Sequence, residues 1–253
     1  GFATANAKAT HGAFSVSGQV TLLVLYQEGG RTHGFTATAE FSRDIKAANV
    51  AEGSLCTVFA AVEEINYGLE GGAVAASAAV LLLCLGTVME SVSALADLKP
   101  DTELLFTDVE CRTFSQTTDE LTLKDDLRLP RAASEILGCS AFCRVNGVSQ
   151  QMGNAAVNGQ LHLDLLAAGM DGSPEWLPFS LPFEAAIPLG SPADELSGDV
   201  VLTGIAAELI GDDTASVDAS VTVRLLGAKK ETARALSDAY SSEYELSLER
   251  KTI

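Results

Sequence analysis

Gly18-Gln19-Val20-Thr21-Leu22-Leu23-Val24-Leu25-Tyr26 leads into Glu28-Gly29-Gly30-Arg31, and Gly34-Phe35-Thr36-Ala37-Thr38-Ala39-Glu40-Phe41 leads out. Two β-rich runs around a glycine turn predict a hairpin. The same pattern returns downstream. Gly159-Gln160-Leu161-His162-Leu163-Asp164-Leu165-Leu166 runs into Met170-Asp171-Gly172-Ser173, and Trp176 to Phe183 follows. Gly18 and Gly159 are offset by 141 positions, Phe41 and Phe183 by 142. The one added residue falls in the turn, where insertions are tolerated best. Thr57–Glu63 aligns with Val200–Ala206, and Val74–Leu85 with Val217–Ala228, both at an offset of 143. A period of this length is too long for a solenoid repeat and suits a domain with its connector.

The remaining segments fit an all-β chain of two tandem antiparallel β-sandwich-like modules. The expected division is a first module over residues 1–97, a connector over 98–141, a second module over 142–236 and a terminal strand or tail over 237–253. Residues 1–13 read as an edge strand or a loose arm. Phe14 to Tyr26 alternates with period two, and Gly18 within it points to a bulge or a close backbone approach. Leu55–Tyr67 and Ala73–Val88 read as strands around Gly68-Leu69-Glu70-Gly71-Gly72. The apolar run Ala78–Leu85 suits a strand buried on both faces.

In the connector, Leu104–Phe114 and Glu120–Leu129 alternate as two strands. Pro130 to Gly138 reads as one short helix, with proline in its first turn and glycine as its cap. Prolines 174, 178, 182, 188 and 192 exclude a regular inner strand along one margin of the second module.

Composition narrows the function. The formal net charge is −18, from 34 acidic and 16 basic residues. That sign opposes nucleic acid and anionic membranes as partners. No run approaches the ~20 apolar residues that a spanning helix needs, so membrane insertion is not expected. No signal peptide is seen, which fits cytoplasmic synthesis. The five cysteines (Cys56, Cys84, Cys111, Cys139 and Cys143) contain no Cys-x-x-Cys pair and read as reduced, buried thiols.

Catalytic constellations are not found. His11, His33 and His162 sit at no spacing that would serve a nucleophile or a metal. Glu63-Glu64, Asp125-Asp126 and Asp212-Asp213 are neighbours, and neighbours on a strand point to opposite faces rather than converging. Asp212, Asp213 and Asp218 carry oxygen ligands of the kind calcium takes, though turn chemistry accounts for them more simply. The sequence thus implies no enzyme, no cofactor and no metal site. Trp176, the single tryptophan, lies beside Pro174 and Pro178 and reads either as a core cap for that proline-rich margin or as a candidate interface anchor.

Several of these stretches resemble one family. Gly-x-Val-x-Leu-x-Val-Leu-Tyr at residues 18–26, the hairpin, Glu40-Phe41-Ser42 with its counterpart Pro182-Phe183-Glu184, Glu135-Ile136-Leu137 and Asp238-Ala239-Tyr240-Ser241 resemble the SPOCS domain, in two copies. This domain occurs in spore-envelope proteins of endospore-forming bacteria, including the SipL type. The second copy departs from the pattern in having Ala167 where the first has Tyr26. The resemblance implies a non-enzymatic structural role in the spore envelope or on the spore surface.

The terminal segment bears on partners. Ala94-Leu95-Ala96-Asp97 matches Ala235-Leu236-Ser237-Asp238, and Glu103–Phe106 falls on Tyr244–Ser247, both at an offset of 141. Tyr244, Leu246 and Leu248 alternate with acids as one apolar strand face. Two full periods exceed the 253 residues of the chain, and the deficit falls at the front. The expectation is therefore head-to-tail assembly, the terminal strand adding to the first module of a neighbour and building a filament or layer. The alternative is a monomeric module that recruits another spore-envelope morphogenetic protein.

Overall fold

In a computed structural model, residues 1–87, 102–243 and 245 are described, and every regular element among them is a β-strand. They are β1 (Phe2–Thr10), β2 (Ala13–Glu28), β3 (Arg31–Lys46), β4 (Leu55–Glu70), β5 (Ala73–Thr87), β6 (Thr102–Arg128), β7 (Ala133–Gln151), β8 (Asn154–Gly169), β9 (Pro174–Pro188), β10 (Glu195–Gly211) and β11 (Thr214–Ser241). Four antiparallel sheets result, in the orders β1-β2-β3, β4-β5, β7-β8-β9 and β10-β11-β6.

The sheets pack in pairs. Ala5, Phe14 and Val16 meet Val58, Leu82 and Cys84, so β1-β2-β3 lies on β4-β5. Leu163, Leu165 and Leu177 meet Leu127 and Val217, while Val157, Phe183 and Ile187 meet Val221, Val223 and Leu225. The sheet β7-β8-β9 therefore lies on β10-β11-β6. The two sandwiches touch where Leu23 packs on Leu137, Leu166 and Ala168.

The hairpins follow from local chemistry. Gly29 and Gly30, and again Gly71 and Gly72, have positive φ. Two such residues make the tight turn whose twist matches the flanking strands. Gly18 is no bulge: its ladders to β1 and β3 run through unbroken. It is a close approach, since a Cβ there would collide with the Phe41 ring and the Thr4 carbonyl. At Gly159 a Cβ would meet the Phe183 ring and the Arg144 carbonyl in the same way. In both places the ring lies across the bare backbone of the central strand and fills the missing side chain's volume.

Four sequence expectations need correction. Residues 130–138 form no helix, because β7 begins at Ala133. The ladder of β7 with β8 shifts between Ala133 and Glu135 and between Ile136 and Gly138. Each shift breaks the period of two, and the resulting apolar spacing imitates a helix face. The two connector strands are one 27-residue strand, β6. Ala78–Leu85 is not buried on both faces: Leu82 and Cys84 turn into the core, whereas Leu81, Leu83 and Leu85 are exposed.

The offset of 143 also fails in β4 and β5, where the pair Leu69↔Val74 corresponds to Leu209↔Ala215 at offsets of 140 and 141. The bulge between Val62 and Glu64 corresponds to the bulge between Leu202 and Gly204, an offset of 140. At 143, buried Val58 would fall on outward Val201; at 140 it falls on Gly198, whose Cβ would point at Leu225.

The cost of filling the Gly–Phe contact is measurable. Gly159→Ala should destabilise the protein by about 1–3 kcal/mol, because the obstructing atoms include backbone and cannot swing away. Gly190, with open space around it, should accept alanine with little change. Urea denaturation of the two variants checks this, and equal midpoints would refute the contact.

Candidate interaction surface

The described residues carry no group of three His, Cys, Asp or Glu side chains placed to hold a metal. Two of the three acids around the β10–β11 turn have cationic partners. Asp213 lies 3.5 Å from Arg128 Nε, and Asp218 pairs with Lys124. His11 is exposed in a turn, and His162 stacks on Phe142 with ring centroids 4.7 Å apart. His33 Nδ1 is 3.4 Å from a Glu135 carboxylate oxygen, and its ring lies 5.4 Å from that of Tyr26. These contacts sit where the β2–β3 hairpin meets β7. Nearby, a Cβ at Gly34 would collide with the Leu137 carbonyl. The imidazole thus belongs to a joint between the sandwiches.

All five cysteines are free and partly buried. Cys139 and Cys143 are on β7, four residues apart, and both turn into the second sandwich. Burial pushes each thiol up to about 11. Desolvation disfavours the thiolate, so these positions are packing groups rather than nucleophiles. Burial, followed by the nearby Cys56, also raises Cys84.

What the molecule offers instead is unpaired strand edge and uncovered apolar surface. In β5, Ala73–Thr87 contains no charged residue and no proline, and it pairs only with β4 among the described residues. Its counterpart β11 has a second neighbour: β6 adds along it from Phe114↔Ala228 to Arg128↔Thr214. Beyond β5, Tyr67 is 82% exposed and Leu69 80%. The sequence reading did not single these two out. They lie in a strand whose counterpart Leu209 packs against a core, and only the missing cover exposes them.

Trp176 is 52% exposed on β9, opposite Leu166, so it does not cap a core. Tyr244, Leu246 and Leu248 lie outside the described residues.

A labelling experiment tests the buried thiols. At pH 8 the rise from the ordinary value of 9.0 to about 11 leaves roughly a hundredth of the usual thiolate. Cys139 and Cys143 should therefore alkylate far more slowly in the native chain than in urea. Equal rates, read by peptide mass spectrometry, would show that burial does not protect them.

Among known proteins, no curated protein and no solved structure matches the chain. The strands β1 to β4, with their Gly18–Phe41 contact, coincide with a match to a family model over residues 3–70, and the model's description is SipL, SPOCS domain.

Proposed function

We propose that this chain is a non-enzymatic structural protein of the spore envelope or spore surface, and that it assembles head to tail by strand addition. The family match on residues 3–70 supports the spore-associated, interaction-module part of this reading. The second copy is inferred from the shared strand order of β1–β5 and β7–β11, from their equivalent bulges, and from the Gly18–Phe41 and Gly159–Phe183 contacts. The reading keeps modules over 1–97 and 142–236 and a connector over 98–141, in which β6 and the start of β7 lie.

One observation supports assembly above the others. β6 enters the sheet as an added edge strand and pairs with β11 from Ser241↔Thr102 to Thr214↔Arg128. The tail repeats the opening of that strand, since Tyr244–Ser247 falls on Glu103–Phe106. A segment built like β6 can make the same main-chain bonds to the first module of another copy, because strand addition draws on backbone groups that every strand has. Tyr244, Leu246 and Leu248 would give such a strand its apolar face, and exposed Trp176 would add a side-chain anchor. A contact between unlike surfaces leaves both ends free and propagates.

The net charge of −18 sets nucleic acid aside as a partner. No helix of the described residues is long and apolar enough to cross a membrane. The partner is a further copy of the chain or another spore-envelope protein.

Removing residues 238–253 tests the reading. The full chain should give large species by light scattering and ordered assemblies in electron micrographs, and the truncated chain should remain small. Assembly that survives truncation, or a full chain that stays monomeric at high concentration, would remove the terminal strand from the mechanism.

A further inference from the structure

In the second sandwich one continuous segment covers two edges. β6 pairs along β11, the chain then crosses the turn between β10 and β11, and β7 pairs along β8. Leu129 N donates to Asp213 O at 2.7 Å and Ala133 N to Asp212 O at 2.7 Å, so the crossing is fastened to that turn. The first part of β7 then lies opposite the end of β8, with Ala141↔Leu163, Cys139↔Leu165, Ile136↔Ala167 and Ala133↔Gly169. Ile136, Cys139 and Ala141 pack against the core formed with Ile205, Ala207, Leu209, Ala215 and Val217.

Among the described residues, no such segment covers the equivalent surfaces of the first sandwich. β1 pairs with β2 only as far as Phe2↔Thr21. Leu22–Glu28 therefore has β3 on one side and, among the described residues, no strand on the other. These residues correspond to Leu163–Gly169. On β4 and β5, Ile65, Tyr67, Leu69 and Val74 correspond to Ile205, Ala207, Leu209 and Ala215. Where Ala215 is 0% exposed, Val74 is 42% exposed, and the contrast at Tyr67 and Leu69 is larger. A side-chain layer that is sealed in one sandwich is open in the other.

We propose that this cleft, between the Leu22–Glu28 edge of β2 and the inner face of the β4–β5 hairpin end, is a binding site for an extended strand from a partner molecule. The strand runs antiparallel to β2, as β7 runs to β8. It places small apolar residues over Leu22, Val24 and Tyr26 and carries no charge on that face. The need for small residues follows from size: Tyr26 and Tyr67 stand where the filled sandwich has Ala167 and Ala207, leaving less room for the guest. Backbone pairing supplies affinity, and alternate side chains supply selection. An unpaired charge in that position would meet only apolar neighbours and would be excluded by its desolvation cost. This inference rests on the assembly reading and adds a second receiving site, distinct from the β5 edge that a β6-like terminal strand would use.

The probe is a synthetic peptide with the sequence of residues 133–142, added to the full chain and followed by hydrogen exchange and by titration. Binding at one peptide per chain should slow exchange of amides within Leu22–Glu28 and leave β9 unchanged. A peptide with proline in place of both Cys139 and Ser140, adjacent ladder positions in β7 of which one N–H faces the partner strand, should bind at least about tenfold more weakly, through a lost main-chain bond. Tyr67→Asp and Leu69→Glu alter exposed side chains and should weaken binding without unfolding the chain. Protection of Leu22–Glu28 in the free protein that grows with protein concentration also supports the site, because another copy then fills it. Absent binding, protection mapped elsewhere, or full protection of Leu22–Glu28 already present in the dilute free chain overturns it. The readouts separate the two readings: peptide binding to a permanently monomeric chain keeps the cleft and ends self-assembly, and assembly without peptide binding does the reverse.

Discussion

Face-to-face burial of β8 against β11 holds the molecule's most complete core. Both are central strands of three-stranded sheets. From β11, Ala215, Val217, Ala219, Val221, Val223 and Leu225 form an uninterrupted buried stripe; from β8, Ala155, Val157, Leu161, Leu163, Leu165 and Ala167 form the other. Burying a side chain of the Val or Leu kind contributes about 1.5–3 kcal/mol. Because each stripe has period two, a slip of one residue would turn every one of these groups into water. The stripes therefore fix register as well as stability. The stripes combine small residues with large ones, and at Gly159, within β8, the Phe183 ring fills the space a side chain would take.

The first sandwich is built on the same plan with less material. Its β4-β5 sheet has two strands where the counterpart has three. The buried set shrinks to Ala5, Ala9, Phe14, Val16, Val50 and Val58 near one end. Leu23 bridges the difference by burying itself in the other sandwich, against Leu137, Leu166 and Ala168. Gly138 makes room for it, since a Cβ there would collide with the Leu23 methyl groups. The thinner sandwich thus draws part of its order from the thicker one.

Much of the strand plan was legible because hairpins are local. Alternation over Val20–Tyr26 and Leu161–Leu166, together with glycine turns, gave both central hairpins their elements and pairing. What could not be read depended on bulges or on a missing layer. The bulges at the start of β7 make strand residues look helical. The repeat falls to offsets of 140 and 141 only once the equivalent bulges of β4 and β10 are paired, and alternation alone does not reveal them. Leu81, Leu83 and Leu85 read as buried because a run of leucines carries no sign of whether a second layer covers it. Tyr67 and Leu69 escaped notice for the converse reason: their exposure is a property of what is not packed on them. Trp176 was singled out as an interface anchor because it is the lone tryptophan, and its position on an edge strand keeps it half in water.

The treatment of the sheet edges shows which surfaces tolerate contact. Pro174, Pro178, Pro182 and Pro188 occupy even positions of β9, and the ladder to β8 runs past all four without a shift. Their ring nitrogens must therefore face away from β8, so the outer edge lacks a donor at four places and cannot extend the sheet. At the corresponding positions β3 has Thr32, Thr36, Glu40 and Lys46, which keep their N–H groups. That edge is guarded by charge instead, through Arg31, Glu40, Arg43, Asp44 and Lys46. β6 is likewise charged, with Lys124 and Arg128 paired to β11-side acids. β5 has neither device, although an uncharged, proline-free edge is the kind that soluble proteins usually avoid. In a chain carrying a net charge of −18, the fifteen consecutive uncharged residues of β5 pair with β4 alone among the described residues, so that margin presents no charge or proline to an incoming strand. That margin leads through Gly71 and Gly72 to the uncovered cleft beside β2. Both surfaces are thus continuous and follow the path that β6 and β7 take around the second sandwich.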